Sequence, residues 1–428
     1  MSSSAPTSTS YEADVHSSDG KSPDLEKVQT SDFPDGGTKA WLVAAGAAVA
    51  MFSTMGFVNS FGIFQSYYKT NQLPHETNDN IAWIGSIQAW LMFCTGIVAG
   101  PLTDRYGPWI IRPAAVVYLF GIMMTSLCTK YWQFMLAQGI VTGIGNGFVM
   151  FPTFAVVPQW FDKKRGAALG MTIAGSSVGA IVLPILLSNL LTHTNLGFGW
   201  SVRILGFFLM PFLIFACLTV KSRLPPRKTR FLFPEAFKQH MYVLLILAAF
   251  CTMVGMFVPL FLISSFAITR GVDPSLAFYL VAILNGASFF GRVIPGIMGD
   301  KVGRINVFVG AALATGIVCF CWPHASNTGG IIAVAVVFGF CSGAIISGFS
   351  TALTLCVENP KNMGTYMGMG MALASFSSIL GPPVAGHLLD TYHGFNQVSY
   401  FAGALTIAGG LFATVAKYYS PVGLFGRT

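Results

Sequence analysis

Arg292 is the one Lys or Arg that falls well inside an uninterrupted apolar stretch of this 428-residue chain. A guanidinium presents a planar fork of N–H donors that meets a carboxylate through two parallel bonds. At the centre of a bilayer its charge costs at least about 2.5–3.5 kcal/mol, so it persists there only against a compensating partner. No Asp or Glu falls in any of the apolar stretches. The compensating anion is therefore expected from outside, as a substrate carboxylate; a structural arginine satisfied by carbonyls or amides is the alternative. Arg292 precedes Asp300 by eight residues, about 12 Å of helix at 1.5 Å per residue, which places it near a bilayer midplane.

A second chemistry-bearing feature occurs twice. Gly100-Pro-Leu-Thr-Asp-Arg-Tyr-Gly107 and Gly296-Ile-Met-Gly-Asp-Lys-Val-Gly303 share the pattern Gly-x-x-x-Asp-Arg/Lys-x-Gly, with Asp104 and Asp300 at one position and Arg105 and Lys301 at the next. The glycines allow a tight turn, and each Asp can pair with a basic residue or cap a helix N-terminus. Lys163, Lys164 and Arg165 form a basic cluster before another apolar stretch. Polar residues inside apolar stretches are candidates to line a path. Asn59, Asn146 and Asn285 lead, with Gln88, Ser176, Ser177, Ser347 and Ser375 behind them. Such side chains also bridge helices in membranes. His387 reads as a hydrogen-bonded residue near an outer helix end.

The elements that must hold these residues follow from composition. Charged residues make up 9% of the chain and hydrophobic ones 54%, against about 25% charged in soluble domains. That excludes a soluble enzyme, a nucleic-acid binder and a disulfide-stapled secreted domain. Residues 1–40, rich in Ser, Thr, Asp and Pro, read as a disordered tail. Beyond them, twelve stretches approach or exceed the roughly 20 residues needed to span a bilayer: 41–66, 81–101, 110–128, 132–157, 167–190, 202–220, 241–268, 276–298, 305–322, 331–356, 364–388 and 397–416. Lipid admits only helices or closed barrels, and the stretches lack the alternation of barrel strands. The fold class is an all-α membrane protein of twelve transmembrane helices.

Counting the adjoining helix ends, loops after even-numbered helices carry 14 Lys and Arg, against four (Lys69, Lys130, Arg203, Arg270) after odd-numbered ones. The positive-inside rule then makes the even loops and both termini cytoplasmic, and a multi-pass protein of the plasma membrane is expected. The chain also repeats. At an offset of 198, Gly166, Gly170, Met171, Ala174, Ser177 and Pro184 recur as Gly364, Gly368, Met369, Ala372, Ser375 and Pro382. The expected organisation is therefore a tail (1–40), a six-helix half (41–220), a basic linker (221–240), a second six-helix half (241–417) and a short tail (418–428). Halves of this kind commonly enclose a midplane site.

The duplicated loop resembles the signature of the major facilitator superfamily, in which the Asp helps to latch the halves during alternating access. Asp35-Gly-Gly-Thr-Lys-Ala-Trp41 and Trp160-Phe-Asp-Lys-Lys-Arg-Gly-Ala-Ala-Leu-Gly170 with Ala174-Gly175 look like the two signatures of the monocarboxylate porter family in its fungal form. The resemblance implies that Arg292 binds a carboxylate. Animal members also carry an Asp one turn before that Arg and a Lys in helix 1 for proton coupling. Ser288 and Asn59 stand at those positions here, so protons are an open question as a second cargo.

No P-loop, nucleophile elbow or zinc spacing occurs, and all eight cysteines fall in apolar stretches. No catalytic residue, metal or cofactor is expected, and transport would be secondary or facilitated. The cargo would be a small organic anion or monocarboxylate-like metabolite. Two alternatives stay open: efflux of an acidic or amphipathic fungal secondary metabolite, and carriage of a neutral amphipathic compound with Arg292 structural. A non-transporting sensor is a remote rival.

Overall fold

The computed structural model describes residues 35–225, 231–392, 394–420 and 423. Twelve helices among the described residues are long and apolar enough to cross a membrane. Numbered in chain order, helices 1 to 6 run Thr38–Gln72, Asp79–Tyr106, Pro108–Thr125, Tyr131–Gln159, Arg165–Thr192 and Gly197–Thr219. Helices 7 to 12 run His240–Thr269, Ser275–Val302, Arg304–His324, Thr328–Cys356, Pro360–Leu389 and Phe395–Tyr418.

Most helices extend a few residues past the apolar stretches because their polar ends find partners. Helix 1 continues to Gln72 although it carries Lys69. The Lys69 ammonium donates to the carbonyls of Pro74 (3.2 Å) and Glu76 (2.7 Å), which leads the charge back toward the helix end. The tail expected over residues 1–40 is shorter at its inner end. Gly37 sits in the left-handed region (φ 84°) and helix starts at Thr38, so 38–40 belong to helix 1. Residues 1–34 lie outside the described residues. Among the described residues of the 221–240 linker, Pro234–Lys238 form a short 3-10 helix.

Several helices are interrupted where a hydroxyl competes for the backbone. Ser60 donates to the carbonyl of Gly56 (3.0 Å), Thr95 to Met92 (3.1 Å) and Ser375 to Ala372 (2.6 Å), and helices 1, 2 and 11 are each broken at that residue. Back-bonding of this kind bends helices. Helices 1 and 4 also widen into π-helix over Tyr68–Gln72 and Met135–Thr142. The Tyr68 hydroxyl donates to Gln138 across the gap between them (2.5 Å).

Helices 1–6 meet helices 7–12 chiefly where helix 5 packs on helix 8 and helix 2 on helix 11. Both crossings are made by glycine. A Cβ at Gly100 would collide with the Gly364 carbonyl, and one at Gly368 with the Gly96 carbonyl. At the other crossing a Cβ at Gly296 would lie 2.7 Å from the Gly166 carbonyl oxygen, and one at Gly170 would lie 2.5 Å from the Arg292 carbonyl oxygen. Helix backbones approach this closely only where side chains are absent.

Glycine substitutions inside and outside the crossings should have opposite effects. Gly100→Ala should overpack the crossing and cost about 1–3 kcal/mol, read as a lower Tm of the purified protein. Gly310→Ala, in helix 9 with nothing within 4 Å of its Cβ position, should instead gain about 0.5–1 kcal/mol from helix propensity.

Candidate functional site

Both repeated loops end their helix in the same way. Gly107 (φ 83°) and Gly303 (φ 111°) occupy the left-handed region, which turns the chain sharply after Asp104 and Asp300. Neither Asp caps a helix of its own sequence neighbourhood. Asp104, buried at the end of helix 2, accepts from the N–H groups of Gly364 (2.9 Å) and Thr365 (2.7 Å) and from the Thr365 hydroxyl (2.7 Å). Asp300, at the end of helix 8, accepts from the N–H groups of Gly166 (2.8 Å) and Ala167 (2.9 Å). Each carboxylate therefore covers the positive N-terminus of a helix across the molecule, helix 11 in one case and helix 5 in the other. Arg304 adds a weak contact to Asp300 (3.4 Å). Arg105 lies over its neighbour Tyr106, 5.7 Å from the ring centre, and Lys301 is exposed, so the basic residues of the repeat stand aside from the capping.

The basic cluster divides in the same fashion. Arg165 is buried, its Nε donating to the Phe161 carbonyl (3.1 Å) and its Nη2 to Asp162 (3.1 Å). Lys163 and Lys164 point outward and contribute their backbones. The Asp35 carboxylate accepts from the N–H groups of Asp162 (2.7 Å) and Lys163 (2.8 Å), and Trp41 packs on Phe161 with ring centres 5.0 Å apart. The two stretches quoted as signatures thus meet each other at the entry to helix 5. Asp35 was legible as a motif residue but not as a cap, because its receivers lie more than 120 positions away.

Arg292 is 8% exposed. Both of its hydrogen bonds leave from Nη1, to the Ile173 carbonyl (3.1 Å) and to the Ser176 hydroxyl, both on helix 5. Nε is buried without a partner. Among the described residues no carboxylate pairs with the guanidinium, and Nη2 donates to none of them. One edge of the fork is spent on helix 5 and the Nε–Nη2 edge is unspent. The close approach at Gly170 and Gly296 brings the two helices near enough for this.

The three asparagines separate. Asn59 is exposed and donates to Met55 one turn back (2.8 Å), and Asn285 does the same to Val281 (2.9 Å). Asn146 is fully buried with both amide atoms unpartnered, and Gln88 is in the same condition. Helix 4 packs on helix 2 beside both, with Gly143 against the backbone of Gln88. Ser177 and Ser347 are buried with unpartnered hydroxyls, while Ser288 is buried one turn before Arg292. His387 is exposed. A small recess between helices 2, 7 and 11 is lined by Phe93, Met253, Phe257, Met371, Ser375 and Ser377. It is apolar and adaptable, with hydroxyls on one wall.

The sequence pattern of the Major Facilitator Superfamily matches residues 41–373 and 245–423. The chain belongs to the Major Facilitator Superfamily. It is an integral, multi-pass membrane transporter. A superfamily member from Emericella nidulans described as an aspyridones efflux protein is 46% identical over 92% of this chain and 80% of its own. An agnestins efflux protein from Paecilomyces divaricatus is 34% identical over 98% of each chain. Among solved superfamily structures, FucP in the outward conformation is similar at a TM-score of 0.69 and 16% identity, covering 88% of this chain and 98% of FucP. The human organic anion transporter MFSD10 is similar at 0.70 and 13% identity, covering 88% of this chain and all of the other. These likenesses support the fold.

Asp300→Ala should remove the cap of helix 5 at a cost of about 0.5–2 kcal/mol. Hydrogen exchange at Gly166 and Ala167 should accelerate about tenfold, each 1.4 kcal/mol being a factor of ten, while Gly364 and Thr365 keep their protection. Equal exchange in both proteins would show that the carboxylate does not hold this end.

Proposed function

We propose that the protein exports an acidic, amphipathic metabolite by alternating access, with the anionic group of the cargo on the unspent edge of Arg292. The observation that carries this reading is the half-used guanidinium: a buried cation with free donors and no carboxylate among the described residues to meet them. Two relatives are described as efflux proteins, which supports export. Asn146 and Gln88, with unspent amides, are further candidates for hydrogen bonds to the cargo. Asn59 and Asn285 are weaker ones, since each amide already serves its own helix.

In this reading helices 1–6 and 7–12 rock as two halves around the site, joined through residues 221–240. Asp104 and Asp300 latch the end that carries the basic loops. That end faces the cytoplasm with both termini, in the plasma membrane, by the distribution of Lys and Arg. The signatures around Asp35 and Trp160 support a place beside the monocarboxylate porters. Ser288 and Asn59 carry no titratable charge, so proton symport of the animal type is not part of the proposal. Carriage of a neutral compound, with Arg292 structural, draws on the two bonds to helix 5.

Arg292→Gln separates the readings. Loss of a hydrogen bond to a charged group costs about 1.5–3 kcal/mol, so efflux of a labelled organic acid should fall at least about tenfold, with the amount of protein at the membrane unchanged. Acid efflux equal to that of the wild type would remove Arg292 from the site and favour a neutral cargo.

A further inference from the structure

We infer that Ser176 is the positioning residue of Arg292, fixing the guanidinium so that its Nε–Nη2 edge meets a carboxylate squarely. The inference rests on the acidic cargo proposed above. Three bonds close a triangle at this point. The Ser176 hydroxyl donates to the carbonyl of Ile173 (2.7 Å), Arg292 Nη1 donates to the same carbonyl (3.1 Å), and Arg292 Nη1 also donates to the Ser176 oxygen. The single proton of the hydroxyl is spent on its own helix, so its lone pairs are directed outward and receive the guanidinium. Ser176 is 2% exposed and Arg292 8%. Ser176 has no donor left for a cargo, and it acts on the cargo only through Arg292.

Two acceptors, rather than one, decide the geometry. A guanidinium held by a single carbonyl can swing about that bond; held by a carbonyl and a hydroxyl, its plane is set. The unpartnered Nε then lies on a fixed edge, which lowers the ordering cost of capturing a planar anion through two bonds. Because Ser176 belongs to helix 5 and Arg292 to helix 8, the fork is set only while these helices are in contact at Gly170 and Gly296. Capture of the anion and closure of the end latched by Asp300 are thereby the same event. The repeated Asp104 and Asp300 stand 196 positions apart, and at that spacing the counterpart of Arg292 is Gly96. There the ring of Phe151 fills the space beside the glycine, so the second crossing offers no such fork.

The test is equilibrium binding of benzoate and its neutral isostere benzamide to the purified full-length protein. The wild type should prefer benzoate. Ser176→Ala should weaken benzoate about tenfold, the loss of one bond to a charged group, and leave benzamide unchanged. Ser176→Thr, which keeps a hydroxyl able to bond the preceding turn, should restore most of the preference. Arg292→Gln should abolish it. If Ser176→Ala keeps the full preference while Arg292→Gln loses it, or weakens both ligands equally, the positioning role is overturned and the acid site stands. If the wild type itself shows no preference, or Arg292→Gln keeps it, the acid site falls as well.

Discussion

A helix that begins inside a membrane protein exposes N–H groups and a partial positive charge that no lipid can satisfy. Helices 5 and 11 both begin at the contact between the first six helices and the last six, and each is covered by a carboxylate that arrives from the other set. Asp300 meets Gly166 and Ala167, and Asp104 meets Gly364 and Thr365. The rest of the arrangement depends on this exchange. It joins the two sets of helices at one end of the molecule, beside the crossings where a Cβ at Gly170 would meet the Arg292 carbonyl and one at Gly368 the Gly96 carbonyl. Each such cap is worth about 0.5–2 kcal/mol.

The duplicated framework is used for two different purposes. At the crossing of helices 2 and 11 the interior is apolar, with Phe151 against Gly96. At the crossing of helices 5 and 8 the same backbone approach admits a guanidinium and delivers it to a carbonyl and a hydroxyl. Of the five N–H donors of the guanidinium, the two on Nη1 are satisfied by helix 5, which lowers the cost of a charge at this depth. The sequence repeat is matched by two similar glycine crossings, and they differ in that one of them carries the Arg292 side chain.

Much of this was legible in order along the chain. The twelve spans and the singular position of Arg292 follow from where charges are absent, since lipid penalises each misplaced charge by several kcal/mol, and the repeat follows from recurring glycines and prolines. Helix ends were less legible, because Lys69 and the residues beyond it are held by carbonyls that only the folded chain supplies. The asparagines were not distinguishable at all. Asn59, Asn146 and Asn285 are the same residue type in similar apolar surroundings. Whether an amide bonds its own preceding turn or stays unspent depends on rotamer and neighbours.

Sequence by itself determined that the chain lives in lipid, how many times it crosses, and which basic residue lies well inside an apolar stretch. Those are consequences of solvent transfer, which acts residue by residue. Tertiary structure alone decided what the charged residues touch. It sent each Asp of the repeat to a helix N-terminus more than 130 positions away, brought Asp35 to the loop before helix 5, and left one edge of Arg292 free while binding the other to Ile173 and Ser176. Hydrogen bonds are short and directional, so their partners are settled by the packing of helices that sequence separation does not reveal.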